Sequence, residues 1–449
     1  MPIPDEHKGR YVYHFTHFDN LEGLLRRGFL AKNHAKFPGK TYRSIAAESI
    51  QERRAAMAVP CGPGGLVHDY VPLYFGSRSP MLLSLIRSKN VDQYAILYFE
   101  FPISLSERAD VIFTDASANR NQPPNFYVDP ASLAKLDWNE IDSLKWRSDS
   151  EAAKQRRMAE LLVHRQLDVT EASRCVVWNK DVKKLVQKVV GDAPFPVIEE
   201  HESPGRYHWF TNLPGKKSRE SLVLGPMAIA ARYKVACKEI VDGIGEHEED
   251  APFATIGDLL EGLRANFDCL PHTAELVGLE SDNGMHKLPV DEHTLEVVSN
   301  LRTLPEFDAL GSKAQMITEL AAYLHDIGKG PRSRWDDFGG RQQVDPDHPV
   351  LAMPMMVEIL TEQVGTVRKK SARALTKLVC YHDLIGEVLG KDRAERQIVD
   401  VADDKEDLDM LFALGKADAT ALNDEWWDQA RAGALYDRCL EAVEAKAEE

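Results

Sequence analysis

Six side chains in the second half, His293, His325, Asp326, His348, His382 and Asp418, are of the types that hold divalent transition metals. They sit in the strings DEHTLEVV, LAAYLHDIGKG, DPDHPVLA, LVCYHD and GKADATAL. Several helices of one bundle can project such ligands into a shared core. The adjacent His325 and Asp326 are the most informative: on the last turn of a helix closed by Gly328, an imidazole and a carboxylate reach one ion from neighbouring positions. Lys329 would then meet a phosphate oxygen. A lone histidine is usually just packed or solvated, but six such positions in one helical region point to a metal site. Pro354, inside the helix expected after His348, removes a backbone hydrogen bond at a cost of about 3 kcal/mol. It predicts a kink that shifts His348.

The first half carries a different set. In YVYHFTHFDNLEGLLRRG, Tyr11, Tyr13 and Phe15 alternate with His14 and Thr16, a strand signature. Asp19 or Asn20 then caps a helix that Gly28 closes. A strand delivering His and Thr beside a capped helix makes a reasonable dinucleotide cradle. Gly62, Gly64 and Gly65 in CGPGG let backbone approach a ligand or simply turn, and the string is not the GxGxxG of a phosphate loop. Tyr70, Tyr74 and Phe75, near Arg78 and Arg87, suit stacking of unpaired bases beside a phosphate track; a buried strand is the competing account for Tyr74 and Phe75. Glu160, among Arg156, Arg157 and Arg165, reads on its own as a solvated helical charge.

The elements that must position these groups follow from pattern and punctuation. A chain of 449 residues predicts two or three domains, and 43% apolar with 28% charged residues excludes a disordered, collagenous or disulfide-stapled protein. The first 195 residues hold 27 Lys and Arg against 23 Asp and Glu, net +4, and the remaining 254 hold 28 against 48, net −20. The total of −16 therefore leaves nucleic acid open as a partner of the first half only. Six cysteines lie far apart without a C-x-x-C pair, which argues against zinc ribbons and disulfides. With no long apolar run and no signal-peptide pattern at the start, a cytoplasmic protein without membrane contact is expected. Short apolar runs such as AILYF, broken by Pro and Gly clusters, predict an α+β first half. Val290, Thr294, Val297 and Leu301, then Met316, Leu320, Leu324 and Ile327, recur at helical spacing and predict an all-helical second half. Five prolines between Pro194 and Pro226 mark the boundary, with an edge near 212, a linker with a helical segment over 213–260, and a second domain over 261–449.

Two resemblances join these observations. HKLPVDEHTLEVVSNL, ELAAYLHDIGKG, HPVLAMPMM and LFALGKADATALNDEWWD together resemble the HD phosphohydrolase superfamily over roughly residues 262–440, nearest to the uridylyl-removing HD domain of the bifunctional PII uridylyltransferase. The resemblance implies an HD-domain helical bundle. It also implies that His293, His325, Asp326 and Asp418 hold a Mn, Mg or Fe ion, with His348 and His382 completing a second. The chemistry implied is metal-assisted hydrolysis of a small nucleotide or phosphodiester. The nucleotidyltransferase domain of that family is absent, so PII is not implied as substrate.

HFTHFDNLEGLL, the ESIQERR run, CGPGGLVHDYVPLYF, SRSPML and RRMAELLVH resemble the DarT family over about residues 10–212. These are DNA ADP-ribosyltransferase toxins that use NAD⁺ as co-substrate to modify a base in single-stranded DNA. The resemblance implies an ADP-ribosyltransferase-like α+β fold with a split mixed sheet around NAD⁺. It places His14, Thr16 and Asn20 against the cofactor and makes Glu160 catalytic. The catalytic arginine falls on Arg53 or Arg54. The whole chain then reads as a toxin or anti-phage transferase fused to a phosphohydrolase that tempers or complements it, with a separate antitoxin as a further partner. In the alternatives, the HD module is an idle nucleotide sensor gating the transferase, or the ADP-ribose acceptor is RNA or protein.

Overall fold

The computed structural model describes residues 2–45, 48–118, 123–192, 195–202, 205–209, 223–245, 250–282, 284 and 288–448. The chain forms two compact units, Met1–Leu222 and Val223–Glu449. The edge expected near 212 falls within 210–222, outside the described residues.

The first unit is built on eight strands: β1 (Tyr11–His17), β2 (Tyr70–Tyr74), β3 (Ile96–Pro102), β4 (Val111–Thr114), β5 (Phe126–Tyr127), β6 (Glu160–His164), β7 (Arg174–Val177) and β8 (Val197–Glu199). Their order across the sheet is β8-β7-β3-β1-β2-β6-β4-β5. Only β7 and β8 run parallel. The AILYF run becomes β3, buried on alternate residues of both parities, as a strand covered on both faces must be. The sheet is nominally continuous yet nearly divided. β1 and β2 share one Cα pair, Tyr13 opposite Tyr74, whereas β1 and β3 share seven.

Pro72 supplies the physical reason. Its carbonyl faces β1 and accepts from His14 Nδ1 at 2.8 Å. In an antiparallel strand the N and C=O of one residue point to the same side, so the ladder toward β1 lacks a donor there. The expected split of the sheet is thus present as a splayed seam between two four-stranded halves.

Helix α1 (Leu21–Arg27) follows β1 and is closed by Gly28 at φ +68°. Asn20 does not cap it as expected. A 3₁₀ turn over Phe18–Asn20 intervenes, and the Asn20 amide instead donates to Thr16 Oγ1 and to the Arg43 carbonyl. Helix α2 (Glu48–Ala56) carries Arg53 and Arg54 in its last turn. Helix α3 (Pro80–Arg87) starts at Ser79, whose hydroxyl accepts from Met81 N, with Pro80 at the first position. Helix α4 (Glu151–Arg157) is capped in the same way by Ser150.

The second unit is helical: α5 (Pro226–Gly243), α6 (Ile256–Ala265), α7 (Val290–Leu301), α8 (Ser312–Leu324), α9 (His348–Glu358), α10 (Lys369–Tyr381), α11 (Lys405–Leu422) and α12 (Gln429–Glu448), with shorter turns between. One two-stranded parallel ladder, Phe253–Thr255 with Val364–Thr366, departs from the all-helical expectation. The periodic residues Val290, Thr294, Val297, Leu301, Leu320 and Leu324 are all buried in the bundle. Residues 213–260, expected as a linker, include α5, whose Ile229, Ala236 and Ile240 belong to the core of this unit.

Candidate ligand pocket and candidate metal centre

The seam of the first unit opens into a cavity of about 910 Å³, in the range of cofactor sites. His14, Asn20, Tyr42, Arg54, Tyr74 and Ser117 are among its walls. Arg54 forms two hydrogen bonds with Glu160, each 2.8 Å, Nη1 to Oε1 and Nη2 to Oε2. Glu160 is the first residue of β6, 1% exposed, and not the solvated helical charge that its neighbours in sequence suggest. It also accepts from Ala118 N at 3.0 Å, while Thr114 Oγ1 accepts from its backbone N. Burial opposes charge on Arg54, and the Glu160 carboxylate more than offsets this, raising the guanidinium further above its ordinary range. Arg53 is exposed, so the structure brings Arg54, and not Arg53, to the carboxylate. Glu160 lies directly behind Arg54 and Ser117, which face the cavity.

His14 faces the cavity with Nδ1 tied to Pro72. Thr16 is fully buried and meets Asn20 Nδ2 at 3.0 Å and the Tyr42 hydroxyl at 3.3 Å, so it stands behind the wall. Tyr42 was not singled out in the sequence; a lone tyrosine in a loop carries no signal there. The basic and aromatic track is assembled only in part. Tyr70 and Tyr74 line the cavity, whereas Phe75 and Arg78 are buried and do not line it, and Arg87 is exposed. Phe75 packs edge-on against Phe113 and Trp138. CGPGG makes a turn, with Gly62 at φ +59°, Gly64 at +74° and Gly65 at +84°, and none of the three lines the cavity.

In the second unit, all six expected ligand positions converge. His293 projects from α7, His325 and Asp326 directly follow α8, His348 begins α9, His382 directly follows α10 and Asp418 lies on α11. Their donor atoms form two groups, His293 with His325 and Asp418, and Asp326 with His348 and His382. A third group joins His382 and Asp418 to Asp383, which the sequence reading missed. The signal was present as a second His-Asp dipeptide in LVCYHD. At 24% the Asp383 side chain is the most exposed of the seven.

The donor set fits divalent cations. The Nδ1 atoms of His325, His348 and His382 lie 2.7, 2.7 and 2.9 Å from the carbonyls of Ala322, Asp345 and Val379. These contacts assign the proton to Nδ1 and aim the Nε2 lone pairs inward, the arrangement that orients metal-binding imidazoles. Among the described residues His325 Nε2 is buried without a hydrogen-bond partner. Burial disfavours a charged His325, yet Asp326 and Asp418 push it up to about 9, which marks a field that favours positive charge. Lys329 is buried with Nζ 2.6 Å from Asp326 Oδ2, so its ammonium is paired with that carboxylate instead of standing free for a phosphate.

Gly328 lets this site close. A Cβ at that position would collide with the His348 carbonyl oxygen and crowd Ala352 N, so α9 lies directly against the turn after α8. Pro354 does sit inside α9, but the carbonyl it deprives of a donor, that of Val350, lies beyond His348. His348 stays in place, 3.2 Å from Asp326 and 3.1 Å from His382.

Residues 13–211 match the model of the DarT family, ssDNA thymidine ADP-ribosyltransferase. Over 188 residues the chain is 35% identical to a DNA ADP-ribosyl transferase of Thermus sp. (strain 2.9), which covers 41% of this chain and 88% of that protein. The chain belongs to the DarT family. Among solved structures, Thermus sp. 2.9 DarT in complex with ADP-ribosylated ssDNA is similar at 32% identity and a TM-score of 0.40, covering 46% of this chain and 99% of that one. Residues 290–407 match the HD domain model, so this DarT protein carries an HD domain in its second unit. It is also 25% identical over 185 residues to a bifunctional uridylyltransferase/uridylyl-removing enzyme of Acinetobacter baumannii, covering 39% of this chain and 20% of that protein. No helix among the described residues is long and apolar enough to cross a membrane.

Proposed function

We propose that the first unit transfers ADP-ribose from NAD⁺ to thymidine in single-stranded DNA. The observation that carries this reading is the buried Arg54–Glu160 pair behind a cavity of cofactor size, within a DarT-family domain. The bond from ribose C1′ to nicotinamide breaks, nicotinamide leaves, and a ring nitrogen of the base bonds to C1′. Charge develops on the ribose as in glycoside cleavage, and a carboxylate close by stabilises it. The proton of the base nitrogen passes to Glu160, a general-base role worth about 10² to 10⁴ in rate. Because Arg54 stands between Glu160 and the cavity, the carboxylate acts through it or after it swings onto the ligand. His14 and Asn20 line the cofactor side, and Thr16 fixes Asn20 from behind. The base must be unpaired, since its reacting atom is inaccessible in a duplex. Mass spectrometry of thymidine-containing oligonucleotides after incubation with NAD⁺ tests this: wild type adds ADP-ribose and Glu160→Gln does not. Adducts on RNA or lysate protein, with none on DNA, would give the acceptor role to those molecules.

The HD unit, in the same reading, hydrolyses a phosphodiester or pyrophosphate bond in an ADP-ribosyl adduct, in NAD⁺ or in a nucleotide signal, and so tempers the transferase. His293, His325 and Asp418 would hold one divalent ion, Mn, Mg or Fe, and Asp326, His348 and His382 a second. When bound, such ions supply Lewis-acid activation of water and clamp phosphoryl oxygens. Lys329 holds Asp326 in its anionic, ligating form. Cells expressing Asp326→Ala protein should be poisoned more severely than cells expressing wild type. Equal toxicity would sink the tempering role, and nucleotide binding without turnover would make the unit a sensor.

A further inference from the structure

One group in the first cavity is not used by this chemistry. His68 is 7% exposed, lines the cavity, and its Nε2 has no hydrogen-bond partner among the described residues. Of the buried histidines with such a nitrogen, among them His7, His17, His208 and His325, only His68 faces this cavity. An unpaired buried polar atom is costly, and native structures tolerate it where a ligand completes it.

The backbone around His68 is fixed. Asp69 accepts from Leu66 N at 2.7 Å and from Asn33 Nδ2 at 2.9 Å, and Asn33 N donates to the His68 carbonyl at 3.0 Å. These bonds anchor the backbone that carries the imidazole beside the cavity. Burial, with Lys32 and Arg54 nearby, pushes it down to about 4, so it is neutral at physiological pH and offers one N–H. The cations Lys32 and Arg54 outweigh Asp69 around the ring, and with Arg54 already paired to Glu160 the partner need only be an acceptor oxygen.

We infer that His68 is a binding residue of the transferase cavity whose N–H donates to a ligand oxygen beside Arg54, a carbonyl of the acceptor base. This rests on the transferase reading above. The ring nitrogen of thymine that bears a proton lies between two carbonyls, so a base presented to the Arg54–Glu160 pair brings an oxygen to each side. A pyrophosphate oxygen of NAD⁺ has the same chemistry, and two assays separate the sources.

The test uses full-length wild type, His68→Phe and His68→Gln, with melting curves to establish folding. One assay measures transfer to a thymidine oligonucleotide and the other NAD⁺ hydrolysis without acceptor. Loss of a hydrogen bond to a ligand should lower kcat/KM for transfer by about tenfold in His68→Phe. The rise should fall on the KM for oligonucleotide, the transfer-to-hydrolysis ratio should drop, and His68→Gln should recover part of both. Equal loss in both assays, through a raised KM for NAD⁺, supports an oxygen partner but assigns it to the pyrophosphate. A His68→Phe protein equal to wild type in both assays overturns this inference alone. Wild type that transfers nothing overturns the transferase reading and this inference with it.

Discussion

His348 and His382 turn their Nε2 atoms toward each other at 3.1 Å, while the Nδ1 of each lies against a backbone carbonyl. With the protons on Nδ1, two lone pairs face one another beside the Asp326 carboxylate, an arrangement that a shared cation relieves. Full-length protein should therefore bind two divalent ions by elemental analysis. His348→Ala and His382→Ala should each reduce the content to one, and Asp383→Asn should weaken the same site. Binding at a hundred times its dissociation constant stabilises by about 2.7 kcal/mol, so chelation should lower the melting temperature of the second unit. Equal metal content in wild type and the double histidine variant would refute the centre.

Gly328→Ala makes a sharper test of how the site is closed. The added methyl has nowhere to go, because the backbone of α9 at His348 and Ala352 occupies its space. Overpacking of this kind costs about 1 to 3 kcal/mol, and here it moves the helix that carries His348. The variant should lose the ion held by Asp326, His348 and His382 while keeping the one held by His293, His325 and Asp418. Retention of both ions would show that α9 does not set the second site.

Arg54 and Arg53 are neighbours in sequence with opposite expected outcomes. Arg54→Ala leaves the buried Glu160 carboxylate without its partner, which costs about 3 to 5 kcal/mol and should abolish transfer. Arg53→Ala, at a side chain that is exposed although it also lines the cavity, should change stability by less than about 0.5 kcal/mol. Denaturant melts and oligonucleotide assays on the two variants read both effects. Similar melts for the two would contradict the buried pair.

Another buried pair sets a pH dependence. His208 Nε2 lies 3.0 Å from Glu100 Oε1, both side chains fully buried, and Glu200 Oε1 lies 3.8 Å from the other ring nitrogen, Nδ1. Burial lowers the His208 pKa, but Glu100 and Glu200 more than reverse this, so it is raised above 6.5. Burial raises Glu100, and His208, Arg206 and Arg174 bring it below 4.5. The raised His208 contributes stability that is fully present below 6.5 and lost as pH rises through its folded value. The depressed Glu100 contributes stability present above 4.5 and lost as pH falls through its folded value. The melting-temperature gap between wild type and His208→Asn should therefore be widest between these limits and narrow toward pH 9. A gap that stays constant from pH 6 to 9 would contradict a charged His208.

Much of this protein was legible in its residues. Val290, Thr294, Val297 and Leu301 declared a helix because one face must be apolar to be buried, and that face is local information. The alternation of β1 and the apolar run of β3 did the same for the sheet. His293, His325, Asp326, His348, His382 and Asp418 were recognisable because ligand types at helical positions are chemically distinctive. What sequence could not supply were distances between segments far apart in the chain. Glu160 reads as solvated among arginines until β6 carries it inward, where its partner on α2, more than a hundred residues away in the chain, is Arg54 and not Arg53. Lys329 looks free until Asp326 is found 2.6 Å away, and Phe75 and Arg78 look like part of a stacking track until they are found buried. Residue type and period determined which elements form and which ligand-type side chains they carry; burial and long-range pairing, which depend on how the strands and helices meet, decided which of those side chains come together.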